Sequence, residues 1–251
     1  MKQQLTIKSR IDDIVVDVFI PDNWDNKKMV LCCHGFNSGK GSPTYAITGE
    51  SLLKNNIAYA IFSLPYHAER RNDYKDFTIN NCIEDTELVE KNIREKYPNT
   101  KIGILGTSFG GYLTLLRLKM YKHNYYAIVL RSPAIKMDEI LRNNLTDIEF
   151  EEFKSKGYAY DNNKVEGMKI PFPLYEELAN KRIMDDPLYE EKILIFHGTV
   201  DDTAPYEDVV EFANMNKNVT LVSLKDENHR YSQEGLERFC KEISEYMKNE
   251  E

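Results

Sequence analysis

Ser108 is the residue whose surroundings in the sequence most clearly suggest chemistry. It stands third in Gly106-Thr107-Ser108-Phe109-Gly110, which has the spacing Gly-x-Ser-x-Gly. The apolar run at residues 102–105 predicts a buried strand before it, and the apolar positions of 112–120 predict a buried helix after it. A serine lifted above a sheet on so tight a turn needs a strained backbone and glycines beside it. The pattern predicts a nucleophile, and the alternative is a glycine-rich turn with an incidental serine.

A carboxylate and a histidine follow two later apolar runs. Asp201 comes soon after a predicted strand at residues 193–196, and the neighbouring Asp202 is the alternative acid. His229 lies in the loop between the last predicted strand and the last predicted helix. Serine, aspartate and histidine in this chain order, each after its own strand, predict a catalytic triad in which the histidine takes the proton of the serine. His197 ends a strand, so it is predicted to be a turn histidine and not the base.

A second loop supplies candidate groups for stabilising negative charge. The apolar run at residues 29–33 leads into His34-Gly35-Phe36, at the same predicted edge of the sheet as Ser108. The backbone N–H of Phe36 and that of Phe109, which follows the serine, are the expected oxyanion donors. Two such donors aimed at one oxygen contribute several kcal/mol, roughly 3 each. The alternative for His34-Gly35-Phe36 is an ordinary turn.

The loop at residues 65–71 lies at this edge as well. Arg70 or Arg71 could meet an anionic group of a substrate, but exposed charge clusters usually pair among themselves. The expected structural role for both arginines is therefore surface pairing with Glu69 and Asp73. His67 could line the pocket, although it lies on the wrong connection to be the base.

Predicted strands alternate with predicted helices along most of the chain. This rhythm indicates an α/β fold with a mostly parallel central sheet and helices on both faces. The alternation of strands and helices is interrupted at residues 132–191, a segment far longer than a crossover between parallel strands requires. We interpret residues 132–191 as an inserted cap, and residues 1–131 and 192–251 as the core. The aromatic residues of the cap are expected to line the pocket, or else to pack only on the core: Phe150, Phe153, Tyr158, Tyr160, Phe172 and Tyr175.

Composition narrows the classes of partner. A net charge of −8 argues against nucleic acid and anionic membranes as partners. The four cysteines lack metal-ligand spacing and lie in apolar patterns, which indicates reduced core residues of a cytoplasmic protein. The N-terminus has no apolar signal segment, and no apolar run is long enough to suggest a membrane span. The sequence is compatible with a homodimer.

With these residues in hand, the chain resembles the α/β-hydrolase superfamily over nearly its whole length. The stretches that carry the resemblance are His-Gly-Phe at 34–36, GTSFGG at 106–111, HGTVDDTAP at 197–205 and NHRY at 228–231. Within the superfamily it looks like small bacterial serine esterases, including the feruloyl or cinnamoyl type. It is also similar to the catalytic domains of acylaminoacyl and prolyl-oligopeptidase-type peptidases. One departure is the loop PYHAERR, where many relatives carry a turn like G-H-G-x-S.

The resemblance implies Ser108 as nucleophile, Asp201 and His229 as its partners, and Phe36 and Phe109 as oxyanion donors. It implies hydrolysis of short-chain or aryl carboxylic esters through an acyl-enzyme, with a small-molecule ester as partner and no metal or organic cofactor. The alternatives are a peptidase or amidase with the same triad, a thioesterase or acyltransferase, and a ligand sensor that binds without useful turnover.

Overall fold

The computed structural model describes residues 1–161 and 167–250 of the chain. Its centre is a sheet of eight strands in the order β1-β2-β4-β3-β5-β6-β9-β10. The strands of this sheet are β1 (Lys2–Ile7), β2 (Ile14–Phe19), β3 (Lys28–Cys33), β4 (Ala58–Ile61), β5 (Lys101–Thr107), β6 (Tyr125–Arg131), β9 (Ile193–Gly198) and β10 (Val219–Leu224). Only β2 pairs antiparallel with its neighbours β1 and β4, and the other pairings are parallel. The predicted α/β class with a mostly parallel sheet is confirmed.

Helices cover both faces of the sheet, as the sequence predicts. They are α1 (Pro43–Lys54), α2 (Ile79–Lys96), α3 (Phe109–Met120), α4 (Met137–Asn143), α5 (Asp147–Lys156), α6 (Phe172–Asn180), α7 (Tyr206–Met215) and α8 (Gln233–Asn249). Strand β3 shows why two layers are needed, because its side chains are buried on both sides. Leu31 packs in the cluster that contains the apolar faces of α2 and α3, whereas Val30 packs in the cluster that contains those of α1 and α8. None of the helices in the described ranges is long and apolar enough to cross a membrane.

The segment between β6 and β9 carries α4, α5, α6 and a short antiparallel hairpin of β7 (Tyr158–Tyr160) and β8 (Lys169–Pro171). Residues 162–166 of the predicted cap lie outside the described residues. A capping box of Thr146 and Glu149 begins α5, and Gly157, with φ of 76°, ends it. Apolar side chains from the segment, such as Leu174 and Ile183, are buried in the same cluster as one face of the main sheet. The segment therefore packs directly on the sheet domain.

The aromatic residues of this segment fall into two groups. Phe153 is buried and contacts the ring of Phe172 at a centroid distance of 5.0 Å, and Phe150 contacts that of Tyr175 at 5.1 Å. This group forms a local core. Tyr158 and Tyr160 instead project from the hairpin and are half-buried. The expectation of pocket-lining aromatic residues therefore rests on Tyr158 and Tyr160 alone.

Candidate active site

Ser108 lies between β5 and α3 on a turn whose geometry is unusual for a residue with a side chain. Its φ is 53° and its ψ is −115°, outside the regions that L-residues favour. A Cβ at Gly106 would lie 2.6 Å from Thr114 Oγ1, and a Cβ at Gly110 would collide with the carbonyl oxygen of Cys33. The sequence prediction of a strained serine between two obligatory glycines agrees with this geometry. The turn holds the Ser108 backbone in a conformation that a free chain would avoid.

The structure brings Ser108, His229 and Asp201 together. His229 Nδ1 lies 2.8 Å from Asp201 Oδ2, and His229 Nε2 lies 3.1 Å from Ser108 Oγ. Because a carboxylate only accepts hydrogen bonds, Nδ1 is the donor to it, and Nε2 is left to accept the serine O–H. These contacts have the geometry of a nucleophile, a base and an orienting acid.

The Asp201 carboxylate is almost fully enclosed and is held from several sides. Its Oδ1 accepts hydrogen bonds from the backbone N–H groups of Thr203 and Ala204, at 3.0 and 2.9 Å. Its Oδ2 faces both His229 and the buried His197, whose Nε2 lies 3.1 Å away. Burial by itself raises the pKa of the Asp201 carboxyl, but the hydrogen bonds from the two histidines outweigh burial and hold that pKa well below its ordinary value. Asp201 is therefore an anion throughout the neutral range.

The two other sequence candidates near this acid have different surroundings. Asp202 is exposed, and its carboxylate accepts a hydrogen bond from the hydroxyl of Thr203 at 3.3 Å. His197 ends β9 and is fully buried, with Nε2 also 2.8 Å from the carbonyl oxygen of Ala204. Both neighbours of that nitrogen are acceptors, so Nε2 carries the proton. His197 therefore donates to the same carboxylate oxygen, Oδ2, that His229 contacts.

A residue that the sequence analysis did not single out holds the histidine loop. Arg131, buried at the end of β6, donates hydrogen bonds to the carbonyl oxygens of His229 and Arg230, at 3.2 and 2.7 Å. Its guanidinium stacks over the ring of Tyr231 at 4.1 Å. The sequence signal for it was the unpaired charge at the end of an apolar strand, because a buried arginine needs partners.

The loop that carries Phe36 packs directly on the serine turn. A Cβ on Gly35 would lie 3.1 Å from Ser108 Cβ, so the two backbones are in close approach. The ring of His34 fixes this loop, because Nδ1 donates to the carbonyl oxygen of Gly35 at 2.8 Å and Nε2 accepts from the N–H of Leu64 at 2.9 Å. The rings of Phe36 and Phe109 meet edge to face at 5.8 Å. The two residues named as oxyanion donors are thus neighbours, and that role stays a prediction.

The two arginines of the loop at residues 65–71 lie in opposite environments. Arg70 is buried, where its Nε donates to Asp12 at 2.8 Å and its Nη1 lies 2.7 Å from Asp85. The expected surface pairing of Arg70 with Glu69 and Asp73 is therefore wrong, because carboxylates distant in the sequence fold around it. Arg71 is exposed, and donates from Nη2 to Asn37 Oδ1 at 2.9 Å.

His67, the other sequence candidate on that loop, is buried. Its Nδ1 lies 2.9 Å from the carbonyl oxygen of Pro65, and its ring meets that of Phe77 at 4.7 Å. Burial, the largest influence, lowers the pKa of its ring well below the usual value. His67 is therefore a neutral, buried ring that packs against the ring of Phe36.

A group of side chains with metal-ligand chemistry lies between α2 and α3. Ligand atoms of Glu87, Glu90 and His123 lie within 4.8 Å of one another. The buried Arg117 occupies the middle of this group, with hydrogen bonds of 2.6 Å to each glutamate. A guanidinium there neutralises the carboxylates and uses their lone pairs, so the arrangement is that of a buried ion-pair network.

Comparison with known proteins identifies the family of this chain. The family model described as the prolyl oligopeptidase family matches residues 62–249. The acylamino-acid-releasing enzyme of Rattus norvegicus is 23% identical over 181 residues, which are 69% of this chain and 22% of that enzyme. The chain therefore spans only a small part of the length of that curated relative.

Solved structures show the same fold over the whole chain. Est1E from Butyrivibrio proteoclasticus, solved with ferulic acid bound, has a TM-score of 0.81 over 97% of both chains at 22% identity. Mouse alpha/beta hydrolase domain-containing protein 10 has a TM-score of 0.79 over 98% of both chains at 15% identity. The predicted resemblance to α/β-hydrolase esterases and to oligopeptidase catalytic domains is confirmed. Since the family model covers well over half of the chain, the protein belongs to the prolyl oligopeptidase family and has the α/β-hydrolase fold.

Proposed function

We propose that this protein is a serine carboxylic-ester hydrolase that acts on short-chain or aryl esters. The observation that carries the proposal is the contact chain from Asp201 through His229 to Ser108, with distances of 2.8 and 3.1 Å. It ends on a serine whose strained turn lies against the loop of Gly35. A nucleophile, a base and an adjacent loop of backbone donors are the parts that acyl transfer needs.

The proposed reaction follows from these contacts. Ser108 Oγ attacks the ester carbonyl carbon while His229 Nε2 takes the serine proton, and Asp201 balances the charge on the imidazolium. The N–H groups of Phe36 and Phe109 stabilise the oxyanion that forms. Collapse of the tetrahedral intermediate breaks the ester C–O bond, and His229 gives its proton to the leaving alcohol. Water then attacks the acyl-enzyme with the same histidine as base, which releases the acid and restores Ser108.

The preference for short or aryl esters rests on the surroundings of the proposed pocket. The half-buried ring of Tyr158 contacts those of Tyr74 and Tyr160, next to the hydrogen bond from Asn37 to Asp161 that joins this hairpin to the loop of Phe36. Such a group of rings favours small or aromatic substrate groups over a long alkyl chain. A structural relative, Est1E, has been solved with ferulic acid bound. A panel of esters that differ in acyl length and aromaticity tests this part, and a clear preference for long acyl chains would contradict it.

A peptidase or amidase is the second candidate. The family match and the similarity to an acylamino-acid-releasing enzyme favour it, and the same triad would serve. Turnover of an amide and of its matched ester, which share one acyl group, separates the two. A thioesterase or acyltransferase would be recognised by product analysis with an added thiol or alcohol, and a sensor by saturable binding without product.

The decisive experiment removes the nucleophile. Ser108→Ala should lower ester hydrolysis by several orders of magnitude and abolish labelling by a serine-directed phosphonate. Ser132→Ala is the matched control, because Ser132 also has positive φ but its hydroxyl contacts Tyr231 Oη, at 3.2 Å, and not His229. Full activity or full labelling of the Ser108→Ala protein would refute the proposed function.

A further inference from the structure

Two cationic side chains lie at the rim of the proposed active site without a carboxylate partner among the described residues. They are Arg71, on the loop before α2, and Lys169, on strand β8. We propose that they form a subsite for a carboxylate, so that the substrate is an ester that also carries a free carboxylate group. This inference rests on the proposed function for the claim that the ligand is an ester, but the carboxylate subsite itself can be tested without turnover.

Arg71 is tied to the loop that carries the predicted oxyanion donor. Its Nη2 donates to Asn37 Oδ1 at 2.9 Å, and its guanidinium lies over the ring of Tyr66 at 5.7 Å. Asn37 is two residues from Gly35, which lies against Ser108. Two trans peptide steps span at most about 7 Å, so the backbone of Asn37, whose side chain holds the guanidinium, lies within about 7 Å of the Gly35 backbone.

Most of the donor capacity of Arg71 is available. A guanidinium has five N–H donors, and within the described residues only Nη2 makes a hydrogen bond. The N–H groups on Nε and Nη1 therefore have no acceptor among the described residues and are open to a second ligand. A planar fork of N–H groups matches the two oxygens of a carboxylate.

Lys169 provides the second cation, from strand β8 of the hairpin of β7 and β8. Its Nζ lies 4.6 Å from the ring centre of Tyr158, 5.2 Å from that of Tyr74 and 5.9 Å from that of Tyr160. Aromatic faces attract a cation but leave its net charge in place. The phenolic oxygens of these three tyrosines make no hydrogen bond to another described residue, so they are further donors.

The two cations belong to one continuous surface. The rings of Tyr66, under Arg71, and Tyr74, beside Lys169, meet edge to face at 6.5 Å. The hairpin is joined to the loop of Phe36 by the hydrogen bond from Asn37 Nδ2 to Asp161 Oδ2, at 3.0 Å. The carboxylate of Asp161 contacts Asn37 and forms no ion pair with either cation.

The test uses two matched ligands and two charge-neutralising variants. Monomethyl succinate carries one carboxylate, and dimethyl succinate is its neutral counterpart. Binding of each is measured by calorimetric titration of the Ser108→Ala protein, in which turnover is absent. Arg71→Gln and Lys169→Gln are added to that background, and Lys122→Gln, at an exposed position beyond α3, reproduces the same change in net charge elsewhere.

We expect the acidic ester to bind at least about tenfold more tightly than the neutral one, since hydrogen bonds to charged groups are the stronger kind. Each rim variant should remove most of that difference, Lys122→Gln should leave it intact, and added salt should reduce it. Equal affinity for the two ligands, or an acidic preference that survives both rim variants, would overturn the proposal.

Turnover of a second pair of esters distinguishes this inference from the proposed function. In the active enzyme, with Ser108 intact, 4-carboxyphenyl acetate should show a KM about tenfold lower than phenyl acetate. Arg71→Gln should raise the KM for 4-carboxyphenyl acetate and leave that for phenyl acetate unchanged. Failure to hydrolyse either ester would refute the proposed function, whereas the titration would still decide the anion subsite.

Discussion

Replacing Asp201 by asparagine turns one carboxylate oxygen into an NH2 group, and the surrounding contacts decide which one. Oδ1 accepts from the backbone N–H groups of Thr203 and Ala204, at 3.0 and 2.9 Å. Oδ2 faces His229 Nδ1 at 2.8 Å and His197 Nε2 at 3.1 Å. An NH2 group turned toward the backbone would oppose two N–H donors that cannot lose their protons, whereas His229 can move its proton from Nδ1 to Nε2, so an NH2 group turned toward the histidines opposes only His197 Nε2. We therefore expect the amide oxygen to keep those bonds and the NH2 group to face the histidines.

This orientation disables the base. The NH2 group donates to His229 Nδ1, so the ring carries its proton on Nε2, which lies 3.1 Å from Ser108 Oγ. A protonated Nε2 cannot accept the serine proton, and the imidazolium of the transition state loses its balancing charge. The equivalent substitution in a serine protease of another fold costs about 10⁴-fold in kcat through the wrong tautomer. We expect a loss of about 10³- to 10⁴-fold here, or roughly 4–5.5 kcal/mol of transition-state stabilisation.

The assay is kcat/KM for a neutral activated ester at pH 8, with circular dichroism at the same temperature to establish that each protein is folded. Asp202→Asn is the matched control, because that carboxylate is exposed and contacts Thr203. It should retain wild-type activity within about twofold. An Asp201→Asn protein that is folded and keeps more than a tenth of the activity would refute the tautomer argument. Loss of activity in Asp202→Asn alone would identify the other acid.

Two further predictions concern the supports of the site. Gly110→Ala should destabilise the fold by about 2 kcal/mol or more and remove activity, because its Cβ would overlap the backbone of β3. Gly41→Ala, which has open space around it, should be neutral within about 0.5 kcal/mol in denaturant unfolding. For His34, burial lowers the pKa of the ring from 6.5 to about 4. Between pH 4 and pH 6.5 the unfolded state binds a proton on His34 that the folded state does not bind. The contribution of His34 to the free energy of unfolding is therefore complete above pH 6.5, and about 3 kcal/mol of it is lost as the pH falls toward 4. His34→Gln should flatten the fall in unfolding free energy between pH 6.5 and pH 4.5, and an equally steep fall would refute the assignment.

The fold class could be predicted because local patterns carry it. Alternation of apolar strands with helical periodicity predicts a parallel α/β sheet, and the glycine spacing around Ser108 is dictated by sterics within a few residues. The order of Ser108, Asp201 and His229 then needs only the rule that parallel strands end at one edge of a sheet. The structure brings these three side chains into contact, while their catalytic roles stay predictions for the assays above.

The parts that could not be predicted depend on contacts between distant segments. The sequence analysis gave no role to Arg131, because its partners are carbonyl oxygens 98 and 99 residues further along the chain. His197 was expected to be a turn residue, and only the folded loop shows that its ring meets the same oxygen of Asp201 as His229 does. The aromatic residues of the predicted cap cannot be told apart in the sequence, yet Phe153 is buried in the core and Tyr158 is only half-buried.

The neighbours Arg70 and Arg71 show how the buried contacts and the proposed subsite depend on each other. Arg70 is clamped between Asp12 and Asp85, which come from the β1–β2 turn and from α2. Breaking such a buried pair is costly, so this clamp fixes the backbone of the loop. The following residue, Arg71, is exposed, and its guanidinium lies beside Asn37. The buried ion pairs of Arg70 therefore hold the loop that positions Arg71. Burying Arg71 and exposing Arg70 instead would need a different backbone path for the whole loop.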